Sequence, residues 1–373
     1  MRPVRLVLLG LLACALGATV AFWPWIDAQR RAAILLSGTS PTPVLSWVLR
    51  TATGSPKIEQ TTLGGAPATL LQPAHGSSWH AVLLLPGTAD QGRDNPRVMK
   101  LAKAIARAGY LVGVPDLPGM ADGEIVPASV QATIDAAVGL SERGDASGGQ
   151  VALVGAWSGA SVALLAAEDQ LLAPRVSVVA AVAPWAAMPD ALRLATTGFV
   201  LDGGQLKAYS ADPKLALVTA KSLAASLPAS TDRSQLLQLL QGVSPTDPDP
   251  LKVVRGLALG GMTPAAAAVV SLLGNTHAPS FDGFYAALPE SLHAEIEKLS
   301  PLVGASQLEG RVEIAVAGND RYAPVTESQA LERASPHVHV TVTGGVRNGL
   351  PAPGIGDAFS TDAWLVRVLK AAD

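Results

Sequence analysis

The sequence contains little cysteine, few aromatic residues and few charges. Its 373 residues include one cysteine, Cys14, which excludes an internal disulfide, a cysteine-based zinc site and an iron–sulfur cluster. Aromatic residues make up 4% and the net charge is −3, so neither a base-stacking platform nor a basic surface for nucleic acid is expected. With 15% charged and 49% hydrophobic residues, the composition excludes a largely disordered chain. No motif indicates a cofactor or a metal.

The N-terminal 26 residues have the pattern of a targeting segment. Arg2 and Arg5 precede the uncharged stretch Leu6–Ile26, which as a helix would span about 31 Å, the thickness of a bilayer core. We expect a membrane anchor with the main domain outside the cytoplasm, periplasmic or extracellular, because positive charge precedes the span. Two alternatives are a cleaved signal peptide ending near Ala21, which would leave a secreted protein, and a lipoprotein site at Cys14.

The rest of the sequence alternates strand and helix patterns, which predicts a mostly parallel sheet covered by helices on both faces. Residues 27–56 are predicted to be a linker with a short helix, 57–187 and 301–373 the α/β core, and 188–300 a helical cap inserted after strand six. The insertion is too long for an ordinary crossover. Eight strands are predicted: Ile58–Thr62, Ala68–Leu71, Ala81–Leu85, Tyr110–Val114, Val151–Val154, Val176–Val182, Val312–Ala317 and Val338–Thr343.

The strongest chemical motif is Val151–Ser161, VALVGAWSGAS, in which a buried strand leads through small residues into a helix. A nucleophile elbow needs this arrangement, since its tight turn requires small residues two positions before and after the nucleophile. Centring the motif on Ser158 puts Ala156 and Ala160 at those positions. Ser161 is an alternative centre, one turn into the helix, and a strand–helix turn without chemistry is the other alternative.

Together with three further segments, this motif resembles the α/β-hydrolase superfamily, in particular dienelactone-hydrolase-like bacterial proteins with an N-terminal membrane segment. The further segments are LLLPGTADQGRDNP, AGYLVGVPDLPG and VEIAVAGNDRYAPV. The resemblance implies an α/β-hydrolase fold with eight strands, Asp320 as the triad acid, and an oxyanion hole from the backbone N–H groups of Thr88 and Gly159. Dienelactone hydrolases use a cysteine nucleophile, but Cys14 lies in the predicted membrane segment. Ser158 is therefore the predicted nucleophile.

The sequence departs from the superfamily at the catalytic histidine. The loop after the last strand, residues 343–351, has no histidine, and Asn348 or Arg347 occupies the expected position. An amide has no useful basicity and a guanidinium stays protonated, so neither can accept a serine proton. His277 in the cap is the candidate for a replacement base.

Two functional interpretations follow. The first is a membrane-anchored serine hydrolase acting on an ester, lactone or similar carbonyl compound, with Ser158 and Asp320 in an incomplete or relocated triad. The apolar segments of the predicted cap suit either a lid over a small, apolar substrate or ordinary packing on the sheet. The second is a catalytically inactive protein of the same fold that binds a ligand or partner outside the membrane. Fold alone does not separate them.

Overall fold

The structure, a computed structural model, describes residues 27–36, 53–347, 350–351 and 357–373. The predicted membrane segment Leu6–Ile26, with Cys14, lies outside these ranges, so the membrane anchor stays a prediction. Asn348 also lies outside them. Within the described ranges, no helix is both long and apolar enough to cross a membrane.

An eight-stranded sheet forms the centre of the molecule. The described residues also form two small hairpins, β7–β8 and β11–β12. In chain order all the strands are β1 (Lys57–Leu63), β2 (Ala66–Gln72), β3 (Trp79–Leu85), β4 (Leu111–Pro115), β5 (Ala146–Ala156), β6 (Val176–Val182), β7 (Phe199–Asp202), β8 (Gln205–Ala208), β9 (Arg311–Val316), β10 (Val338–Val342), β11 (Val346–Arg347) and β12 (Leu350–Pro351). The main sheet has the order β1-β2-β4-β3-β5-β6-β9-β10. In this sheet β2 pairs antiparallel with β1 and with β4, and the other pairs are parallel.

Helices cover both faces of this sheet. In chain order the described α-helices of the whole molecule are α1 (27–36), α2 (Pro96–Arg107), α3 (Pro127–Ser141), α4 (Ser158–Ala167), α5 (Met188–Thr197), α6 (Pro213–Ala225), α7 (Thr231–Gln241), α8 (Lys252–Arg255), α9 (Pro264–Gly274), α10 (Phe281–Ala286), α11 (Glu290–Glu297), α12 (Pro301–Gly304), α13 (Val325–Ala334) and α14 (Ala358–Ala372). Side chains of α3 and α4 pack in the core on one face, and those of α1, α2 and α14 in the core on the other.

Successive strand residues enter opposite cores because side chains alternate across a strand. On β3, Leu83 and Leu85 pack toward α3 and α4, whereas Val82 and Leu84 pack toward α2 and α14. The central strands therefore have continuous apolar runs, as expected for a parallel sheet covered on both faces. This sheet and its helices confirm the predicted fold class. The chain has the α/β-hydrolase fold.

The segment between β6 and β9 contains helices α5 to α12 and one hairpin, β7–β8, which was not predicted from the sequence. The turn residues Gly203 and Gly204 both have positive φ, 58° and 80°. A two-residue hairpin loop with two left-handed residues matches the twist of the flanking strands, and glycine adopts it without steric cost. The Gly-Gly pair was the available signal, but the whole of residues 188–300 was predicted to be helical.

A partly buried carboxyl group lies where α4 ends. Glu168 packs so closely against Gly304 that a Cβ on this glycine would lie 2.2 Å from Oε2. Its Oε1 is buried and has no hydrogen-bond partner in the described part of the chain. Burial raises the pKa of Glu168 to about 8, because leaving water penalises the charged form.

We expect this carboxyl group to make stability depend on pH. The folded-state pKa lies above the unfolded value, so the stability that Glu168 contributes is full below about pH 4.5 and is lost as pH rises through about 8. Glu168→Gln should therefore raise the melting temperature more at pH 8.5 than at pH 5.5, by roughly 5 °C. Thermal melts of Glu168→Gln and of the exposed control Glu309→Gln test this expectation. An equal effect of Glu168→Gln at both pH values would contradict it.

Candidate active site

The turn between β5 and α4 is strained at Trp157. The strand ends at Ala156 and the helix begins at Ser158, and Trp157 between them has φ 53° and ψ −117°. A residue other than glycine held in such a conformation costs of order 1–3 kcal/mol, and such strain concentrates at functional sites. The turn is the predicted elbow, but the predicted register is wrong by one residue: Trp157, not Ser158, is at its tip.

Two glycines explain this register. A Cβ on Gly155 would lie 2.5 Å from the carbonyl carbon of Gly159, and a Cβ on Gly159 would lie 2.9 Å from the carbonyl oxygen of Leu85. Strand and helix approach each other so closely here that neither position has room for a side chain. The glycines lie two residues before and two residues after Trp157. The prediction assigned these positions to Ala156 and Ala160 because it centred the motif on the serine.

The indole of Trp157 belongs to a column of three aromatic rings. It stacks on Tyr322 with 5.3 Å between ring centroids and 26° between planes, and Tyr322 stacks in turn on Trp185 at 6.1 Å. Offset stacking at such distances is favourable beyond the area that it buries. The column joins the elbow to the loop after β6 and to the turn after β9.

Asp320, the predicted acid, lies in this turn after β9. Its Oδ1 accepts hydrogen bonds from the backbone N–H groups of Tyr322, at 2.8 Å, and Ala323, at 3.0 Å. Burial raises the pKa of Asp320, and these two N–H groups and the nearby Trp157 indole oppose the shift. The indole Nε1 itself is buried and makes no hydrogen bond of ordinary geometry within the described residues. The fold thus brings the acid turn and the elbow tip together, and Asp320 also stabilises its own turn.

The hydroxyl of Ser158 is directed toward the loop after β3. The residue is 2% exposed, and its Oγ accepts a hydrogen bond from the Thr88 N–H at 3.0 Å and lies 3.1 Å from Thr88 Oγ1. A Cβ on Gly87 would lie 2.9 Å from this oxygen. The Thr88 N–H, a predicted oxyanion donor, therefore already has an acceptor. The second oxyanion donor was predicted to be the N–H group of Gly159, the residue after the nucleophile. With Trp157 at the tip, the residue in that position is Ser158.

The phenol of Tyr322 completes this polar cluster. Its hydroxyl is buried and faces Ser158 and Thr88, although it makes no hydrogen bond of ordinary geometry in the described part of the protein. Burial raises the pKa of Tyr322 well above its usual value, and the hydroxyls of Ser158 and Thr88 oppose this shift. Tyr322 stays a neutral phenol at physiological pH.

Ser161, the alternative centre of the motif, has a structural role. Its Oγ accepts a hydrogen bond from the Trp185 N–H at 3.1 Å and lies 3.2 Å from the Trp185 carbonyl oxygen. These contacts join the first turns of α4 to the loop after β6.

The structure does not connect His277 with this cluster. His277 is exposed and its Nδ1 hydrogen-bonds to Ser280 Oγ at 2.9 Å. In the described ranges no hydrogen bond or ion pair joins His277 to Ser158 or Asp320. Of the two residues at the expected histidine position, Asn348 lies outside the described residues, and Arg347 is in the short strand β11. The origin of a base therefore stays untested.

A cavity of about 510 Å³ extends from the elbow into the interior. It lies between the sheet and the helices α1, α2 and α14, on the face opposite α3 and α4. Its walls include side chains from three neighbouring strands and from all three helices: Val82, Leu84, Ala152, Val154, Ala180, Val182, Leu35, Leu101, Ile105, Trp364, Leu365 and Leu369. Trp157, Ser158 and Thr88 border the cavity at one end. The cavity was not predicted from the sequence, because it arises from the packing of distant helices.

Among the described residues, no group of three or more His, Cys, Asp and Glu side chains could hold a metal ion.

No protein family and no curated protein matches the sequence. Several solved structures are similar in fold. DcsB, solved with a substrate analogue, shares 16% identity over 84% of this chain and 99% of its own, with a TM-score of 0.48. The acylaminoacyl peptidase of Pyrococcus horikoshii shares 11% over 83% of this chain and 41% of its own, at 0.46. A bacterial membrane phospholipase A shares 17% over 91% of this chain and 90% of its own, at 0.37. Such identities concern the fold alone.

The elbow register predicts which glycines cannot be replaced. Gly155→Ala places a methyl group against the backbone of α4 and should lower the free energy of unfolding by about 1–3 kcal/mol or more. A methyl group added to Gly283 in α10 would have no neighbouring atom within 4 Å, so Gly283→Ala should be neutral or stabilise by up to about 1 kcal/mol. Urea denaturation of both variants measures the difference. A Gly155→Ala variant as stable as the wild type would contradict the register.

Proposed function

We propose that this protein binds a small, mostly apolar molecule in the cavity below the elbow, and that it does not use Ser–His–Asp chemistry. One observation carries the proposal: Trp157 occupies the strained tip at which a nucleophile would stand. An indole has only an N–H donor and no hydroxyl, thiol or carboxylate that could attack a carbonyl carbon.

The contacts of the neighbouring hydroxyl support this proposal. The Ser158 hydroxyl accepts the Thr88 N–H, the kind of backbone donor that would stabilise a developing oxyanion in a hydrolase. A serine hydroxyl also needs a base within hydrogen-bond reach. The hydroxyl's partners in the described ranges are Thr88 and, more distantly, Tyr322, and neither a hydroxyl nor a buried phenol is a base at neutral pH.

The size of the cavity supports a bound molecule. The volume of about 510 Å³ lies within the range of about 300–1,000 Å³ for small-molecule sites, and its apolar walls with few polar groups are typical of them.

A second candidate function is the serine hydrolase of the first interpretation, with Ser158 as nucleophile and Asp320 as acid. It is favoured by the position of Ser158 at the border of the cavity and by the presence of Asp320 beside the elbow. The two candidates make opposite predictions for a serine-directed reagent.

We expect the wild-type chain to resist a fluorophosphonate and to leave p-nitrophenyl butyrate intact. The double variant Trp157→Ser with Asn348→His should gain esterase activity, because it places a serine at the tip and an imidazole at the position where the resemblance to the superfamily expects the catalytic histidine. Its rate should exceed that of the wild type at least about 100-fold. The rate should increase with pH through about 6.5, as the imidazole loses its proton. Hydrolysis kinetics and mass spectrometry of the labelled protein measure both effects.

Single variants distinguish the binding protein from the serine hydrolase. Trp157→Ser alone and Asn348→His alone should each stay far below the double variant, since serine and base act as a unit. Fluorophosphonate labelling of wild-type Ser158 that disappears in Ser158→Ala would contradict the proposal and establish the hydrolase instead.

A further inference from the structure

The cavity follows one strand along its length. Val82 and Leu84 of β3 line it, and so do Leu85 and the loop residue Thr88 that follow. From Val82 to Leu85 the strand spans about 10 Å at 3.3 Å per residue. The cavity therefore extends along β3 to the turn that follows it, which gives a hydrocarbon chain an apolar strand face to lie along.

Small side chains on the floor of the cavity create this space. Ala152 on β5 and Ala180 on β6 face α14 and are 1% and 2% exposed. Interiors otherwise pack to about 0.74 of their volume, and larger residues at these two positions would fill the gap. Trp364 and Leu365 of α14 form the opposite wall.

The charged side chains that line the cavity lie at one end. Three charged side chains border it, Asp90, Arg97 and Lys214, and all three lie at the end that carries Thr88. Lys214 Nζ lies 3.9 Å from Asp90 Oδ1, which leaves the charge of Arg97 in excess. The opposite end is lined by uncharged residues that include Leu35 of α1 and Ala372 of α14.

We propose that the ligand is a single-chain anionic amphiphile, with its hydrocarbon tail along β3 and its acidic head group between Arg97 and Lys214. This assignment rests on the proposed function, because it names the occupant of the same cavity. An apolar tail satisfies the aliphatic walls without burying polar atoms. A carboxylate or a phosphate head group gives the two cations a charge-assisted hydrogen-bond acceptor.

A photoreactive palmitate analogue that carries a diazirine in the chain and an alkyne tests this assignment on the full chain in the membranes of expressing cells. After irradiation we expect adducts on peptides of α2 and α14, and competition by excess palmitate. The variant Ala180→Phe should reduce the adduct yield at least about tenfold by filling the cavity. Ala294→Phe, at an exposed position in α11, should leave the yield unchanged. Ala152→Leu is the smaller cavity-filling variant to use if Ala180→Phe does not fold.

The head group is tested with the corresponding photoreactive alcohol. The double variant Arg97→Gln with Lys214→Gln should reduce labelling by the acid about tenfold and labelling by the alcohol little or not at all. Equal labelling by acid and alcohol in the wild type, unchanged in this variant, would overturn the anionic assignment but leave an apolar ligand. No cavity adduct with either probe, or adducts confined to residues 1–26, would overturn the proposed function as well.

Discussion

The close approach of β5 and α4 determines the arrangement of the site. Because Gly155 and Gly159 lie almost in contact, the one residue at the tip between them must adopt a left-handed conformation. That residue is Trp157. The strain at this position is of order 1–3 kcal/mol, and the indole offsets part of it by stacking on Tyr322. In this molecule the elbow therefore presents a large aromatic surface where its geometry would otherwise present a reactive side chain.

The contacts of Tyr322 and Asp320 are consistent with a tryptophan, rather than a nucleophile, at the tip of the elbow. Tyr322 lies between the two tryptophans, while its hydroxyl is directed toward Ser158 and Thr88. Asp320 accepts hydrogen bonds from its own turn and so needs no histidine to satisfy its carboxylate. The Asp320 carboxylate and the Ser158 hydroxyl thus have structural partners, and the elbow, the acid turn and the loop after β3 form one connected unit. The cavity begins at this unit and extends away from it below the sheet.

The sequence was informative about the fold and less so about the site. All eight strands of the main sheet were predicted. The central strands were recognised directly from their continuous apolar runs, which a parallel sheet covered on both faces needs. The elbow was located but its register was missed by one residue. The error came from choosing the serine first and the small residues second, although Gly155 and Gly159 are the positions that the backbone constrains.

The position of His277 and the cavity could not be predicted from local sequence patterns. Whether His277 approaches Ser158 depends on how the helices between β6 and β9 pack, and its exposed position could not be deduced from spacing. The cavity depends on Ala152 and Ala180, which look like ordinary strand residues in the sequence, and on their distance from α14. Only the three-dimensional packing of distant segments reveals that these methyl groups leave a gap.

The most direct test of this account is the accessibility of two adjacent residues to a thiol reagent. Cys14 is the only cysteine of the chain, so a Cys14→Ser background allows single cysteines to be introduced at Trp157 and at Ser158. Mass spectrometry would follow their alkylation by iodoacetamide. Because Trp157 is partly exposed and Ser158 is 2% exposed, the account predicts rapid reaction of Trp157→Cys and slow reaction of Ser158→Cys. Rapid alkylation at 158 with protection at 157 would show that the serine, not the tryptophan, occupies the tip.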